Sequence, residues 1–298
     1  GAESVMQRPK PHTLAREAWL IWSRSLLMLV RSPALVVMHW VLALLVGTLM
    51  GVAFLNVQTD ISGVQNRNGA LFFALVFLSL ASLSTVDVIF TERAVVRNEA
   101  LSGHYSPVTY ALIKGVIDAA LLRVIPALLL SLPFYYLMGL HRDPAYAAIF
   151  MGVVPTFSAA AGLLSLFLCT VSNTPGSANL LIIVVLLLFM LFGGLIANLA
   201  VMPDAVVWIS YLSIFRYAFE ALLGNELDGQ KIIPKLGDIE LDIVLDGNGV
   251  IEQLGLSSDH VLRDIILLNL LTVLLWIMSG LSLWVRYVAV PKRQKHRY

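Results

Sequence analysis

Apolar positions in this chain come in long unbroken runs rather than in the two- or three-four periods of a soluble core. Residues 32 to 59 hold no Asp, Glu, Lys or Arg, and the run from about 33 to 55 is long enough to cross a hydrocarbon layer about 30 Å thick. The polar break "NVQTDISGVQNRN" leads to a second run, about 67–90. "DVIFTERAVVRNEALSGHYSP" then mixes charges with Ser-Gly, which predicts short helices outside the membrane. A third run, about 108–139, carries Lys114, Asp118 and Arg123 near its start and Pro126 and Pro133 in its body, so a bend at the prolines is expected. The 60 residues between Asp143 and Asp204 hold no charge and are broken once, at the turn-forming "SNTPGS". That gives spans at about 145–171 and 177–199. A polar segment, 200–259, precedes a sixth span at about 261–288.

The pattern predicts an all-α membrane protein with six transmembrane helices. One stretch resists, "WISYLSIFRYAFEALLGNEL", with Arg216 and Glu220 in its middle. A charge at the bilayer centre costs about 2.5–3.5 kcal/mol, and short cytosolic segments collect Lys and Arg. Residues 1–31 hold five Lys/Arg and the tail "RYVAVPKRQKHRY" holds five with no acid, so both ends are expected in the cytosol, which requires an even number of crossings. Residues 200–264 hold 11 acids against 4 Lys/Arg, as suits an external segment. The stretch is therefore read as an external re-entrant or interfacial helical hairpin before the last span. Arg216 and Glu220 would pair at i, i+4, among the belt aromatics Trp208, Tyr211, Phe215, Tyr217 and Phe219. Residues 13–31 alternate as an amphipathic helix lying on the cytosolic surface, with Leu14, Ala18, Ile21, Trp22, Ser25 and Leu29 on one side.

Composition agrees: 58% of the 298 residues are hydrophobic and 13% charged, where a soluble domain has about a quarter charged. A net charge of +1, held in scattered blocks, gives no basic face for nucleic acid. A single cysteine, Cys169, excludes an internal disulfide and a Cys-based metal site, and the scattered histidines form no ligand cluster. No Asn-x-Ser/Thr sequon occurs, and no G-x-x-x-x-G-K-[ST] phosphate loop, H-E-x-x-H or G-x-S-x-G. "GTLMG" at 47–51 has the small-xxx-small spacing that lets helices approach, more often within a bundle than between subunits.

Five blocks, "RSLLMLVRSP", "GVQNRNGALFF", "TERAVVRNEALSGHYSPVTYALIKGVIDAALLRVIP", "LFGGLIANL" and "LSIFRYAFEALLGNEL", resemble in order and spacing the ABC-2 type transmembrane domain of G-subfamily (White type) ABC transporters. The resemblance runs from about Thr13 to Val288. It implies a nucleotide-binding domain before Gly1, with residues 1–12 as its linker and 13–298 as the membrane domain. That domain would supply ATP and Mg, and a second half-transporter, identical or not, would complete a dimer in the lipids of the plasma membrane or an endomembrane.

The resemblance further implies that 13–31 is the connecting helix and that the block from Thr91 to Tyr105 couples to the ATPase, with Arg24, Glu92, Arg97 and Glu99 as coupling residues. A solvated charged face is the alternative. It maps Phe73, Phe77, Leu80, Leu187 and Met190 onto a central slit that binds substrate, and Leu195 and Ile196 onto an apolar plug above it. Spacing alone favours plain packing, because in an all-apolar helix a stripe such as Phe73, Phe77, Leu80, Ser84 and Asp87 can be drawn almost anywhere. Leu80 stands where multidrug members carry an aromatic clamp, which leaves lipids or sterols open as cargo. The cysteines that staple the external segment in animal members are missing. Two other readings remain at this stage: a polytopic lipid enzyme, disfavoured by the lack of clustered His, Asp or Ser at membrane depth, and an ABC-2 type permease whose ATPase is a separate chain.

Overall fold

The computed structural model describes residues 14–286 apart from 32, 59, 103–104, 142, 233–234, 237–238, 241–244 and 258–259. The linker 1–12 and the basic tail beyond Arg286 lie outside the described residues, as do the side chains of Leu14 and Leu29.

The first half of the chain builds α1 (Leu14–Arg31), α2 (Pro33–Ala53), α3 (Ile61–Ala81), α4 (Ser84–Leu101), α5 (Pro107–Asp118), a π-helical turn (Ala119–Val124) and α6 (Ile125–Met138). The second half builds α7 (Pro144–Val171), α8 (Pro175–Leu191), α9 (Asp204–Val207), α10 (Ile214–Leu227), α11 (Gly247–Gln253) and α12 (Val261–Trp284). Between α10 and α11 lie two antiparallel ladders of two-residue strands, β1 (Lys231–Ile232) with β4 (Leu245–Asp246) and β2 (Lys235–Leu236) with β3 (Ile239–Glu240). They are a small addition to an otherwise helical chain.

Helix starts follow their local chemistry. Asp60 accepts from the Gly63 N–H at 2.6 Å to open α3, and Asp143 accepts from Ala145 ahead of α7, with Pro144 at the first position. Thr174 and Ser177 form a capping box on α8. The π-helical turn sits just ahead of Pro126, whose missing N–H cannot continue the ladder.

The core sits around α7, which packs against α12, α10, α6, α4, α3 and α8. Its most apolar 18-residue stretch is 67% buried, against 22% for α2 and 17% for α12, so α7 is central and those two are peripheral. Small residues at Ala159, Ala160, Ala161 and Gly162 allow this close approach. Gly47 and Gly51 face α6, at Leu130 and Leu137, so the "GTLMG" spacing serves packing inside the bundle.

Among the described residues, five helical segments are long and apolar enough to cross a membrane: Pro33–Ala53, Ile61–Glu99, Pro107–Met138, Pro144–Val171 and Val261–Trp284. The hairpin region, Asp204–Leu212 with Ile214–Leu227, passes the same test only jointly and is bent by 80°. Helix α8 has 17 residues, about 25 Å of rise. It ends at Leu191, and two residues past its Phe192 cap Gly194 takes φ 97°, a left-handed backbone that Gly adopts without strain.

Three local expectations are corrected. The Phe73 stripe stops at the break between α3 and α4, since Ser84 starts a new helix and turns inward. The charged stretch after Asp87 is one continuous helix to Leu101 rather than short pieces. Phe215, Tyr217 and Phe219 are buried rather than in an aromatic belt, because α10 is enclosed by α7, α12 and α3; Trp208 and Tyr211 remain exposed. In α1, Ile21 and Ser25 face inward as expected, while Trp22 points out.

Candidate functional site

Where α1, α4 and α5 meet, the charges of the "TERAVVRNEALSGHY" block and of the third run join in one chain of contacts. Arg24 on α1 forms an ion pair with Glu99 on α4, and the Tyr105 hydroxyl donates to Glu99 Oε2 at 2.7 Å. The Tyr105 ring stacks on Tyr110, 6.0 Å between centroids, and the Tyr110 hydroxyl donates to Glu92 Oε2 at 2.6 Å. Lys114 Nζ donates to Glu92 Oε1 at 2.8 Å and lies 3.4 Å from Asp118. Glu17 on α1 accepts from the Ser106 N–H, the capping position of α5, at 3.3 Å. The amphipathic helix is thus tied to α4 and α5 by charge as well as by Ile21, Val96 and Tyr110. Burial and the bond to Glu99 push the Tyr105 phenol above its ordinary value. Burial acts to lower Arg24, and Glu99 and Tyr105 together more than offset it, so its pKa is raised. Arg97 is exposed on α4 and is not drawn into this chain.

Deeper in the bundle, Arg123 is 2% exposed. Its guanidinium donates to the Ala81 carbonyl at 2.8 Å, to Ser84 Oγ at 3.0 Å and to Thr85 Oγ1 at 2.8 Å. The α3–α4 break leaves carbonyls without helical partners, and a cation there also suits the negative end of α3. His39 Nε2 on α2 reaches Ser84 Oγ at 2.9 Å. Gly162 makes room for this arrangement, since a Cβ there would come within 2.9 Å of the Arg123 side chain. Sequence reasoning noticed Lys114, Asp118 and Arg123 but gave them no role. The i, i+4 spacing of Lys114 and Asp118 was the available signal; Glu92 as partner was not visible from spacing.

The five residues expected to line a slit lie on adjoining helices, α3 and α8, which pack together. Phe73 is 55% exposed and Leu187 48%, with Leu80 also exposed and Phe77 and Met190 half-buried. Phe73, Leu80 and Leu187 point outward, Phe77 and Met190 pack against the core, and Phe72 and Leu75 enter it. Leu195 and Ile196 follow α8 in a non-helical turn, Ile196 exposed and Leu195 packed against the core. Asn198 fixes this turn by donating to the Gln253 carbonyl at 2.6 Å and accepting from the Ala200 N–H at 2.9 Å.

At the opposite end from Arg24, Arg216 Nε lies 3.6 Å from Glu220, as the i, i+4 spacing predicts. Glu220 Oε1 also accepts from the Ser257 N–H at 2.9 Å and lies 3.4 Å from Arg263 on α12. Arg67 on α3 sits 3.3 Å from Glu226 and donates to Gln230 at 2.8 Å, so α10 is clamped on two sides by buried charge. No group of three or more His, Cys, Asp or Glu able to hold a metal occurs among the described residues.

The profile of the family described as ABC-2 type transporter matches residues 16–227. A "Probable ATP-dependent permease" of Saccharomyces cerevisiae is 30% identical over 266 residues, 88% of this chain and 25% of that protein. The "Broad substrate specificity ATP-binding cassette transporter ABCG2" of Sus scrofa is 30% identical over 213 residues, 72% of this chain and 32% of its own length. "Protein white" of Ceratitis capitata is 32% identical over 276 residues, 90% of this chain and 39% of its own. The chain therefore spans well under half the length of these relatives. Together with its apolar spanning helices, these matches show that the chain belongs to the ABC-2 type transporter family, as a multi-pass membrane domain of the G subfamily.

Proposed function

We propose that this chain is the membrane-spanning half of an ATP-driven exporter that moves lipophilic molecules, lipid, sterol or amphipathic xenobiotic, from the cytosolic side or inner leaflet outward. The observation that carries the reading is the outward exposure of apolar Phe73, Leu80 and Leu187 on the adjoining helices α3 and α8. In a half that pairs with a second half, this face lines a slit in which cargo is held by apolar contact. Leu195 and Ile196, in the turn past α8, close that slit as a dry plug. ATP and Mg are held by a nucleotide-binding domain that the longer relatives, one of them named an ATP-binding cassette transporter, have room for.

The Arg24–Glu99–Tyr105–Tyr110–Glu92–Lys114 chain supports a coupling role for this end. Closure of an ATPase has to be passed on through stiff contacts with two arrangements, and this chain joins the amphipathic helix to α4 and α5. Exposed Arg97 is the residue best placed to meet the ATPase directly. In this reading both termini face the cytosol and residues 200–259 lie outside, and the 80° bend within 204–227 supports a re-entrant hairpin there. The plasma membrane is the membrane proposed.

The test is flux. Inside-out vesicles holding the protein together with its ATPase take up a fluorescent phospholipid or sterol when ATP is added and not with a non-hydrolysable analogue. Uptake that is indifferent to ATP refutes the proposal.

A further inference from the structure

Arg93 follows Glu92 on α4, so it lies at the same end of the bundle as the coupling chain. It donates to the Ser172 and Asn173 carbonyls, at 2.9 and 3.2 Å, just past the end of α7. Arg286, just past α12, reaches the same turn, donating to the Thr170 carbonyl at 2.6 Å, to the Ser172 carbonyl at 2.8 Å and to Asn173 Oδ1 at 2.7 Å. Two guanidinium groups therefore share the Ser172 oxygen. Capping accounts for their attraction to this helix end, where carbonyls lack partners. It does not account for what lies beside them.

A groove of about 600 Å3 runs between the ends of α7 and α12. Its walls are apolar, with Phe167, Val171, Met278, Leu281 and Val285, and Arg286 and Asn173 stand at its rim. Val171, Leu281 and Val285 are exposed on the outer side of the bundle, so the groove opens toward lipid. An occupant that satisfies both parts carries a negative head and an apolar chain. Basic pockets between transmembrane helices on the cytosolic side hold anionic lipid headgroups, and juxtamembrane cations draw such lipids to that leaflet. The sequence beyond Arg286 adds Lys292, Arg293, Lys295 and Arg297 and no acid.

We propose that this groove binds an anionic glycerophospholipid of the cytosolic leaflet, with its net negative head group at Arg286, beside Arg93, and an acyl chain along Met278 and Leu281. The leaflet rests on the orientation proposed above; the chemistry of the groove does not.

The experiment is native mass spectrometry of the detergent-purified protein offered equal amounts of dioleoylphosphatidylserine and dioleoylphosphatidylcholine. Retention of the serine lipid should exceed that of the choline lipid about tenfold, the order expected of two cations at a headgroup. The pair Arg93→Gln/Arg286→Gln should bring the two lipids to parity, while Arg93→Lys/Arg286→Lys keeps the preference. Leu281→Trp, at an exposed apolar position, should fill the groove and lower retention even if the Gln pair fails to fold. Glycerophosphoserine, which has the head and no chains, should not compete. Equal retention of both lipids by the unaltered protein, a preference untouched by the Gln pair and by Leu281→Trp, or displacement by glycerophosphoserine each overturns the proposal. Since detergent has no sides, an error in orientation leaves these results unchanged and shows instead in surface labelling.

Discussion

At the scale of residues, buried charges contribute to the stability of the end where α1, α4 and α5 meet. Lys114 is held between Glu92 and Asp118, and Glu92 also receives the Tyr110 hydroxyl. Removing Glu92 leaves Lys114 with Asp118 alone and the Tyr110 hydroxyl without its acceptor, at a cost of about 1–3 kcal/mol. Glu92→Ala should therefore lower the unfolding midpoint in detergent, and Glu92→Gln, whose amide oxygen can still accept from Lys114 or Tyr110, should lower it less. An unchanged midpoint for Glu92→Ala would show that the pair carries no net stability. The same network explains what the sequence could and could not reveal. Arg216 with Glu220 and Lys114 with Asp118 were legible, since helix periodicity brings i and i+4 together. Pairs such as Arg24–Glu99 and Arg67–Glu226 join residues far apart in the chain, and only the fold or a family resemblance could place them.

At the scale of elements, long apolar runs were readable because a spanning helix needs about 20 apolar residues whatever it packs against. The α3–α4 break was not, because "SLASLSTV" has neither Pro nor Gly to mark it; Arg123, arriving from the third run, satisfies the exposed carbonyls. The early end of α8 was signalled by Gly193-Gly194, which an all-apolar surround disguised as part of the span. Faces were equally hidden, since a helix that is hydrophobic all round gives no moment to say which side meets a partner. The bent hairpin bears on topology. With buried Cys169 as the native thiol, Asp228→Cys should react with an impermeant maleimide on intact cells and Lys292→Cys only after permeabilisation. Labelling of Lys292→Cys on intact cells would mean that 204–227 crosses the membrane.

At the scale of the whole molecule, the bundle buries α7 and leaves two kinds of apolar outer surface: the α3–α8 face with Phe73 and Leu187, and the peripheral faces of α2 and α12. The first is assigned to the slit and the second to lipid. Replacing Leu195 and Ile196 by Ala at the mouth of the slit should loosen cargo selectivity in vesicle flux at matched protein level. A plug of two apolar side chains is worth about 2–5 kcal/mol per buried Leu or Ile where it is well packed. Wild-type selectivity would take both residues out of the path. The claim on which the rest depends is that the α3–α8 face meets a second half. Disulfide cross-linking of single-cysteine protein in membranes tests it directly. Leu187→Cys should give a covalent dimer under mild oxidation and Leu274→Cys, on the outer side of α12, should not; cross-linking at Leu274 with none at Leu187 would contradict the account.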